Sequence, residues 1–327
     1  MISEPGIYAI TAEEYHSDPC PQPSLSSSIA RILIQDSPRH ARAAHPRLNP
    51  NWVEPDSQRH LDLGSLCHAL MLEGEDKAHI ITATKSEGSG KNKVDTGEPV
   101  TDYKTKAAQV ERDEARARGL YPVLAHEMPE IHAMMRAARE QVLESEVPDA
   151  FTNGKPEQTL IWQEFNGVWC RARLDWLMSE KPVILDYKTG KASARPSDVC
   201  SRAAKAGWCM QASFYKRGFR AVFGRPAPPP YRLPQYVLST GEEIVFDRDV
   251  DPRFIFVVQE NFAPFALSLM EVSPSDEALA DAQVESAIRI FGACLESGVW
   301  PGYARTVQRI TSPPYYQASA EEDLRED

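Results

Sequence analysis

A chain of 327 residues, 42% apolar and 25% charged, can bury a sizeable core in one large domain or two small ones, which excludes general disorder. Its formal net charge of −11 argues against polyanion binding over the whole surface, but not at a local basic site. No run approaches the roughly 18 uninterrupted apolar residues of a membrane-spanning helix. The opening MISEPGIYAI lacks the basic-then-apolar pattern of a secretory signal. Six scattered cysteines with no CxxC pair predict free thiols in a reducing cytoplasm.

In chain order, SLSSSIARILI offers Ser26, Ser27 or Ser28 as an N-cap for a short helix that stops at Ser37-Pro38. DLGSLCHALMLE, at 62–73, places Leu66, Leu70 and either Ala69 or Leu72 at helical spacing. Residues 84–101 are rich in Gly, Lys and Thr and predict a mobile loop. A helical pattern runs from Asp102 to Glu144, broken near Gly119–Pro122. The character changes at residue 157. EQTLIWQEF and VWCRARLDWLM are β-rich runs joined by Asn166-Gly167, a strong hairpin signal. VILDYK, at 183–188, predicts a third strand, and a helical region from Ser197 to Gly224 is split by Gly207. A Pro-rich loop leads to strands near 235–247 and 254–270, then to a helix over 274–297 capped by SPSD. The order predicts an α/β fold, a mixed β-sheet flanked by helices with a helical N-terminal portion. It reads as a single domain over 1–315, helical to about 150 with the core from 151, and an acidic tail over 316–327.

Strand periodicity makes the first chemical statement. In VILDYK, Asp186 and Lys188 point to one face while Leu185 and Tyr187 point away. This acid follows three apolar residues in a strand that reads as buried, where a carboxylate requires a partner or a metal. Asp175, with ten residues between it and Asp186, lies in the preceding strand. If the two strands are adjacent and antiparallel, the aspartates converge. Two carboxylates and a lysine suit magnesium, or manganese in its place, with Lys188 orienting water or offsetting charge on a phosphate. The plain alternative is an Asp186–Lys188 salt bridge.

A basic stripe follows at once. From Lys188 to Arg225 nine basic residues face one acid, Asp198, a net of +8 that leaves −19 for the rest of the chain. Lys191, Arg195, Lys216 and Arg217 are its candidate phosphate contacts, with a solvated basic helix face as the bland reading. Gln211 and Tyr215, four apart, share a helix face, although Tyr215 also reads as core.

LDW at 174–176, LDYKTGK at 185–191 and QASFY at 211–215 resemble the three signatures of the RecB-type branch of the PD-(D/E)XK nucleases. GIYAITAEEYH, SLSSSIARIL, LGSLCHALMLEG and WPGY further resemble the RecE-like exodeoxyribonuclease VIII domain of phages and prophages. The resemblance spans roughly 5–75 and 120–310. It implies that Asp175 and Asp186, with His68 and the backbone carbonyl of Tyr187, hold the metal, and that Lys188 is catalytic. Gln211 and Tyr215 would support the site and touch the DNA strand, and Glu157 would be an acid at the head of the hairpin. On residue type alone, His68 is more often a packed core histidine and Glu157 an exposed strand-start acid. The resemblance also implies 5′→3′ degradation of linear double-stranded DNA, a toroidal homo-oligomer enclosing the duplex, and a single-strand annealing protein as partner. The Pro-rich 224–250 stretch has no counterpart in it.

Rival readings remain. An iron–sulfur nuclease of the CRISPR-associated branch needs a closely spaced C-terminal cysteine trio, and only Cys294 follows Cys209. The others are a catalytically silent DNA-binding or scaffold protein of the same fold and a RecB-like nuclease of other polarity.

Overall fold

The computed structural model describes residues 1–53, 63–87, 94–224 and 251–312, with Tyr316 and Glu322. The strand expected near 235–247, most of the Pro-rich stretch and most of the acidic tail lie outside the described residues.

The chain opens with β1 (Gly6–Tyr8), α1 (Ala12–His16), α2 (Ser27–Gln35) and α3 (Pro38–Ala44). Ser26 caps α2, its hydroxyl accepting from the Ile29 N–H. Then come α4 (Leu63–Glu73), β2 (Ala78–Ile80), β3 (Thr84–Glu87), β4 (Val94–Pro99), α5 (Lys106–Ala117), β5 (Tyr121–Val123) and α6 (Met128–Leu143). The hairpin strands are β6 (Gly154–Gln163) and β7 (Trp169–Met178), followed by β8 (Val183–Gly190). The remaining elements are α7 (Pro196–Ala206), α8 (Trp208–Phe223), β9 (Arg253–Glu260), β10 (Leu267–Met270) and α9 (Pro274–Ser297). Gly207, at φ 74°, makes the left-handed break between α7 and α8. Among the described residues no helix is long and apolar enough to cross a membrane.

The main sheet has six strands in the order β1-β6-β7-β8-β9-β10, antiparallel throughout except for the β8–β9 pair, which is parallel. Helices cover both faces, so the central strands are apolar on both sides. Ile184, Phe254, Phe256 and Val258 join the layer that holds residues of α2, α8 and α9. Leu185, Tyr187, Ile255 and Val257 join the layer formed by α4 and α6. The first 150 residues thus supply helices to both faces and one strand, β1, to the sheet. Residues 84–101 differ from the expected loop: β3 and β4 pair as an antiparallel ladder. β4 is exposed along its whole length, so no apolar alternation was present to announce it.

A buried polar cluster ties the N-terminal segment to β7. The Asp18 carboxylate accepts from the Ser24 N–H (2.8 Å) and hydroxyl (2.6 Å), and Arg171 lies 3.3 Å from it. Arg171 also donates to the carbonyls of Tyr15 and Ser24. His45 lies among these groups, fully buried, its Nε2–H donating to the Ser24 carbonyl (3.0 Å) and its Nδ1 accepting from the Arg47 N–H. Burial, aided by the charges of Arg171 and Arg47 and opposed by the bond to the Ser24 carbonyl and the charge of Asp18, pushes the His45 pKa down to about 4. A histidine held neutral in the fold but protonated in the unfolded chain contributes its full stability above pH 6.5 and loses it progressively as the pH falls toward 4. The loss is about 3 kcal/mol. We expect urea unfolding midpoints to drop over that window in the wild-type chain and to drop distinctly less in His45→Gln.

Candidate active site

The sheet forks between β7 and β8. These strands pair through Trp176–Leu185 and Leu177–Ile184, whereas β8 pairs with β9 over its whole length and β7 with β6 over nearly all of its own. Continuing both registers by one step sets Glu157, Asp175 and Asp186 side by side on β6, β7 and β8. The phase of β7 changes at this point. Leu174 and Leu177 both face the α2, α8 and α9 layer, while Trp176 between them faces the other. Opposite the change, Glu157 takes φ 53°, a left-handed conformation rare for a residue with a side chain. The three acids therefore line the mouth of the fork.

Asp175 Oδ2 accepts from the Tyr187 N–H (2.9 Å) and from His68 Nε2 (3.1 Å). Lys188 Nζ lies 2.5 Å from Asp186 Oδ1, and Gln211 Nε2 donates to Asp186 Oδ2 at 2.5 Å. The His68 ring stacks on Tyr187, with centroids 5.5 Å apart. The Tyr187 hydroxyl in turn donates to Gln259, whose amide donates to the Met134 carbonyl. Both faces of the fork are thereby anchored, one through α4 and Tyr187, the other through α8 and Gln211.

α4 comes this close because of Gly64. A Cβ there would stand 2.7 Å from Thr189 Oγ1 and 3.3 Å from Asn261 Nδ2, so only glycine lets the first turn of α4 lie on the end of β8. His68 follows one turn later, over Asp175.

The electrostatics divide the two aspartates. Asp186 is 1% exposed, and burial pushes its pKa up to about 6, Lys188 opposing and Asp175 adding to the rise. Burial also acts to raise Asp175, but the bond and charge of His68, with Lys188 and the Tyr187 N–H, outweigh it and hold the carboxyl below its ordinary value. Lys188 and His68 respond reciprocally. Burial disfavours both cations, and the neighbouring carboxylates overcome it and raise both pKa values. Glu157 is raised by burial despite its ion pair with Arg173. The mouth of the fork thus gathers three acids, two of which are held up chiefly by burial.

Those acids bear on whether a divalent metal fits. Asp186 Oδ1 is buried and accepts no well-directed hydrogen bond, although Lys188 Nζ is close. A buried carboxylate oxygen whose close partner is the Lys188 ammonium, beside a second carboxylate and with the Tyr187 carbonyl on the same strand, is a hard-oxygen donor set of the kind magnesium takes. Among the described residues no three His, Cys, Asp or Glu side chains close on a common point. His68 accordingly stands here as a hydrogen-bond partner of Asp175. The fit rests on the aspartate pair.

Residues 26–231 match a PDDEXK-like domain of unknown function, DUF3799. The chain belongs to that family. The solved structure of a putative exonuclease from Eubacterium rectale is similar to this PDDEXK-like domain over 94% of this chain and 96% of that one, with a TM-score of 0.51 and 12% identity. A likeness at that identity is one of fold, and it agrees with the mixed sheet flanked by helices. No curated protein matches the chain in sequence.

The PDDEXK-like core gathers Asp175, Asp186, Lys188, His68, Tyr187, Gln211 and Glu157 around the fork. It does not gather all of the expected DNA contacts. Tyr215 is buried, edge-on to Phe254, so it lies behind the site in the core. Lys216 is 8% exposed, held by Glu277 (2.5 Å) and Asp251 (3.4 Å). Arg217 forms a two-pronged pair with Glu164 (2.8 and 2.7 Å) and a further one with Glu285 (2.8 Å). Lys216 and Arg217, expected to face DNA, are thus paired instead with acids from α9 and from the end of β6 and with Asp251. Lys191 and Arg195 are exposed, next to the site. Sequence reasoning passed over Gly64, Arg173, Gln259 and Trp208. Of these Gly64, one helical turn before His68, was the most legible.

Proposed function

We propose that this PDDEXK-like domain is a magnesium-dependent exodeoxyribonuclease acting on linear double-stranded DNA. The observation that carries the reading is the pair of opposed aspartates at the fork, one of them buried and ion-paired with Lys188. Asp175 and Asp186 would hold the cation with the Tyr187 carbonyl. A bound divalent ion polarises a phosphodiester and makes water nucleophilic at neutral pH. This chain's own residues do the rest. His68 and the Tyr187 N–H fix the rotamer of Asp175, Gln211 fixes that of Asp186, and Lys188 keeps a positive charge where charge builds on the phosphate. Resemblance to the RecE-like exonucleases supports the finer parts of the reading. These are 5′→3′ polarity, a toroidal homo-oligomer, and exposure of single strands for recombination or repair alongside an annealing protein.

The test is digestion of 5′- and 3′-labelled linear duplexes and a closed circle, with magnesium or with EDTA. The expected result is magnesium-dependent loss of the linear duplex from its 5′ ends, with the circle intact. Cutting of the circle would make the protein an endonuclease. Duplex binding with no digestion in magnesium or manganese would make it a silent DNA-binding protein of the same fold.

A further inference from the structure

The basic residues that follow the DxK strand are one stripe in sequence, but those among the described residues are two populations in space. Lys216 and Arg217 are neutralised as described, and Arg220 is paired with Asp251 (2.6 Å) and Glu277 (3.6 Å). For any of these to bind a phosphate it must first give up a carboxylate, which cancels most of the gain from releasing counterions. Upstream the picture inverts. Lys191, Arg195 and Lys205 are exposed and Arg202 is half-buried, and among the described residues none of the four pairs with a carboxylate. Asp198, in the first turn of α7, is the one acid of this stretch.

These cations are also held in place. The loop between β8 and α7 is pinned at Ala194, whose N–H donates to Glu260 (2.9 Å) and whose carbonyl accepts from the Ser268 hydroxyl (2.6 Å). Arg202 donates to the Ser193 carbonyl (3.2 Å), closing α7 onto the same loop. Arg202 and Lys188 both approach the ring of Trp208, 5.7 and 5.9 Å from its centroid, so the cations run on from the lysine at the fork. Trp208 is itself backed by Phe256, with ring centroids 5.1 Å apart.

We propose that Lys191, Arg195, Arg202 and Lys205 form the track for the DNA phosphate backbone leading to the fork, and that Lys216, Arg217 and Arg220 lie outside it. The choice of DNA rests on the nuclease reading above, and the placement of the track rests on which cations have no carboxylate partner among the described residues. On an acidic protein such a stripe localises a polyanion at one place and repels it elsewhere.

The experiment is binding of a fluorescent 30-base-pair duplex to the full chain in EDTA, read by anisotropy across a salt series so that no turnover is required. In Lys191→Ala/Arg195→Ala/Lys205→Ala, affinity should fall and the slope of log affinity against log salt should flatten by roughly 3, about 0.9 per lost contact. Lys216→Gln/Arg217→Gln, checked for folding by circular dichroism, should keep the wild-type slope. Lys216→Gln alone serves if the double variant does not fold. An unchanged slope in the triple variant overturns the track even where digestion is confirmed, and so does a wild-type chain whose duplex binding is insensitive to salt. A flattened slope in a chain that digests nothing upholds the track and removes the nuclease reading.

Discussion

Asp186→Asn should lower cleavage of linear duplex by at least about a thousandfold while leaving the fold intact. Asp186 is the most buried acid at the fork, and among the described residues the only acid with a buried side-chain oxygen that accepts no directed hydrogen bond. An amide in its place keeps an oxygen to accept from Gln211 and removes the charge that a cation needs. Several kilocalories of charge stabilisation at the reacting phosphate depend on that cation, and about 4 kcal/mol corresponds to a factor of a thousand in rate. The fold should survive because burial makes the ionised carboxylate costly, as its upward-shifted pKa shows. Turnover on a labelled linear duplex, beside circular dichroism and a melting curve, checks both halves. Wild-type activity in a folded Asp186→Asn protein would remove Asp186 from the chemistry.

Lys188→Ala should cost at least about a hundredfold in turnover, the scale for losing a preorganised charge at a reacting centre. Magnesium binding should survive. The ammonium lies against Asp186 on one side and the Trp208 ring on the other, and its side chain keeps 29% of its surface open at the mouth of the fork. A purely structural ion pair would behave differently. Removing it would shift the melting temperature and leave turnover on the remaining folded protein unchanged. Calorimetric titration with magnesium, read beside kcat, separates the two roles. Lower stability with unchanged kcat would mean that Lys188 only neutralises Asp186.

Much of this site was legible from local pattern. The Asn166-Gly167 turn announced the hairpin, and the period of two in VILDYK put Asp186 and Lys188 on one face, away from Tyr187. Antiparallel pairing of β7 with β8 then set Asp175 opposite Asp186, as the convergence argument required. Gly207 split α7 from α8, and SPSD capped α9 at Ser273. Each of these depends on neighbours a few residues away, through backbone sterics, turn chemistry or side-chain alternation. The β3–β4 ladder escaped because a strand exposed on all sides carries no apolar period.

What sequence alone determined, then, is the order of the described elements from β6 onward, the acids and lysine of the fork, and the presence of a basic stripe. The tertiary structure decided which of those charges are available. Glu277 and Glu285 reach Lys216 and Arg217 from a helix some sixty residues further on, and Glu164 comes from a strand end about fifty residues earlier. His68 meets Asp175 across 107 residues of chain, through a helix that only Gly64 lets approach. Periodicity is a local property of the backbone, whereas neutralising a charge requires an opposite charge within a few ångströms, wherever in the chain it originates.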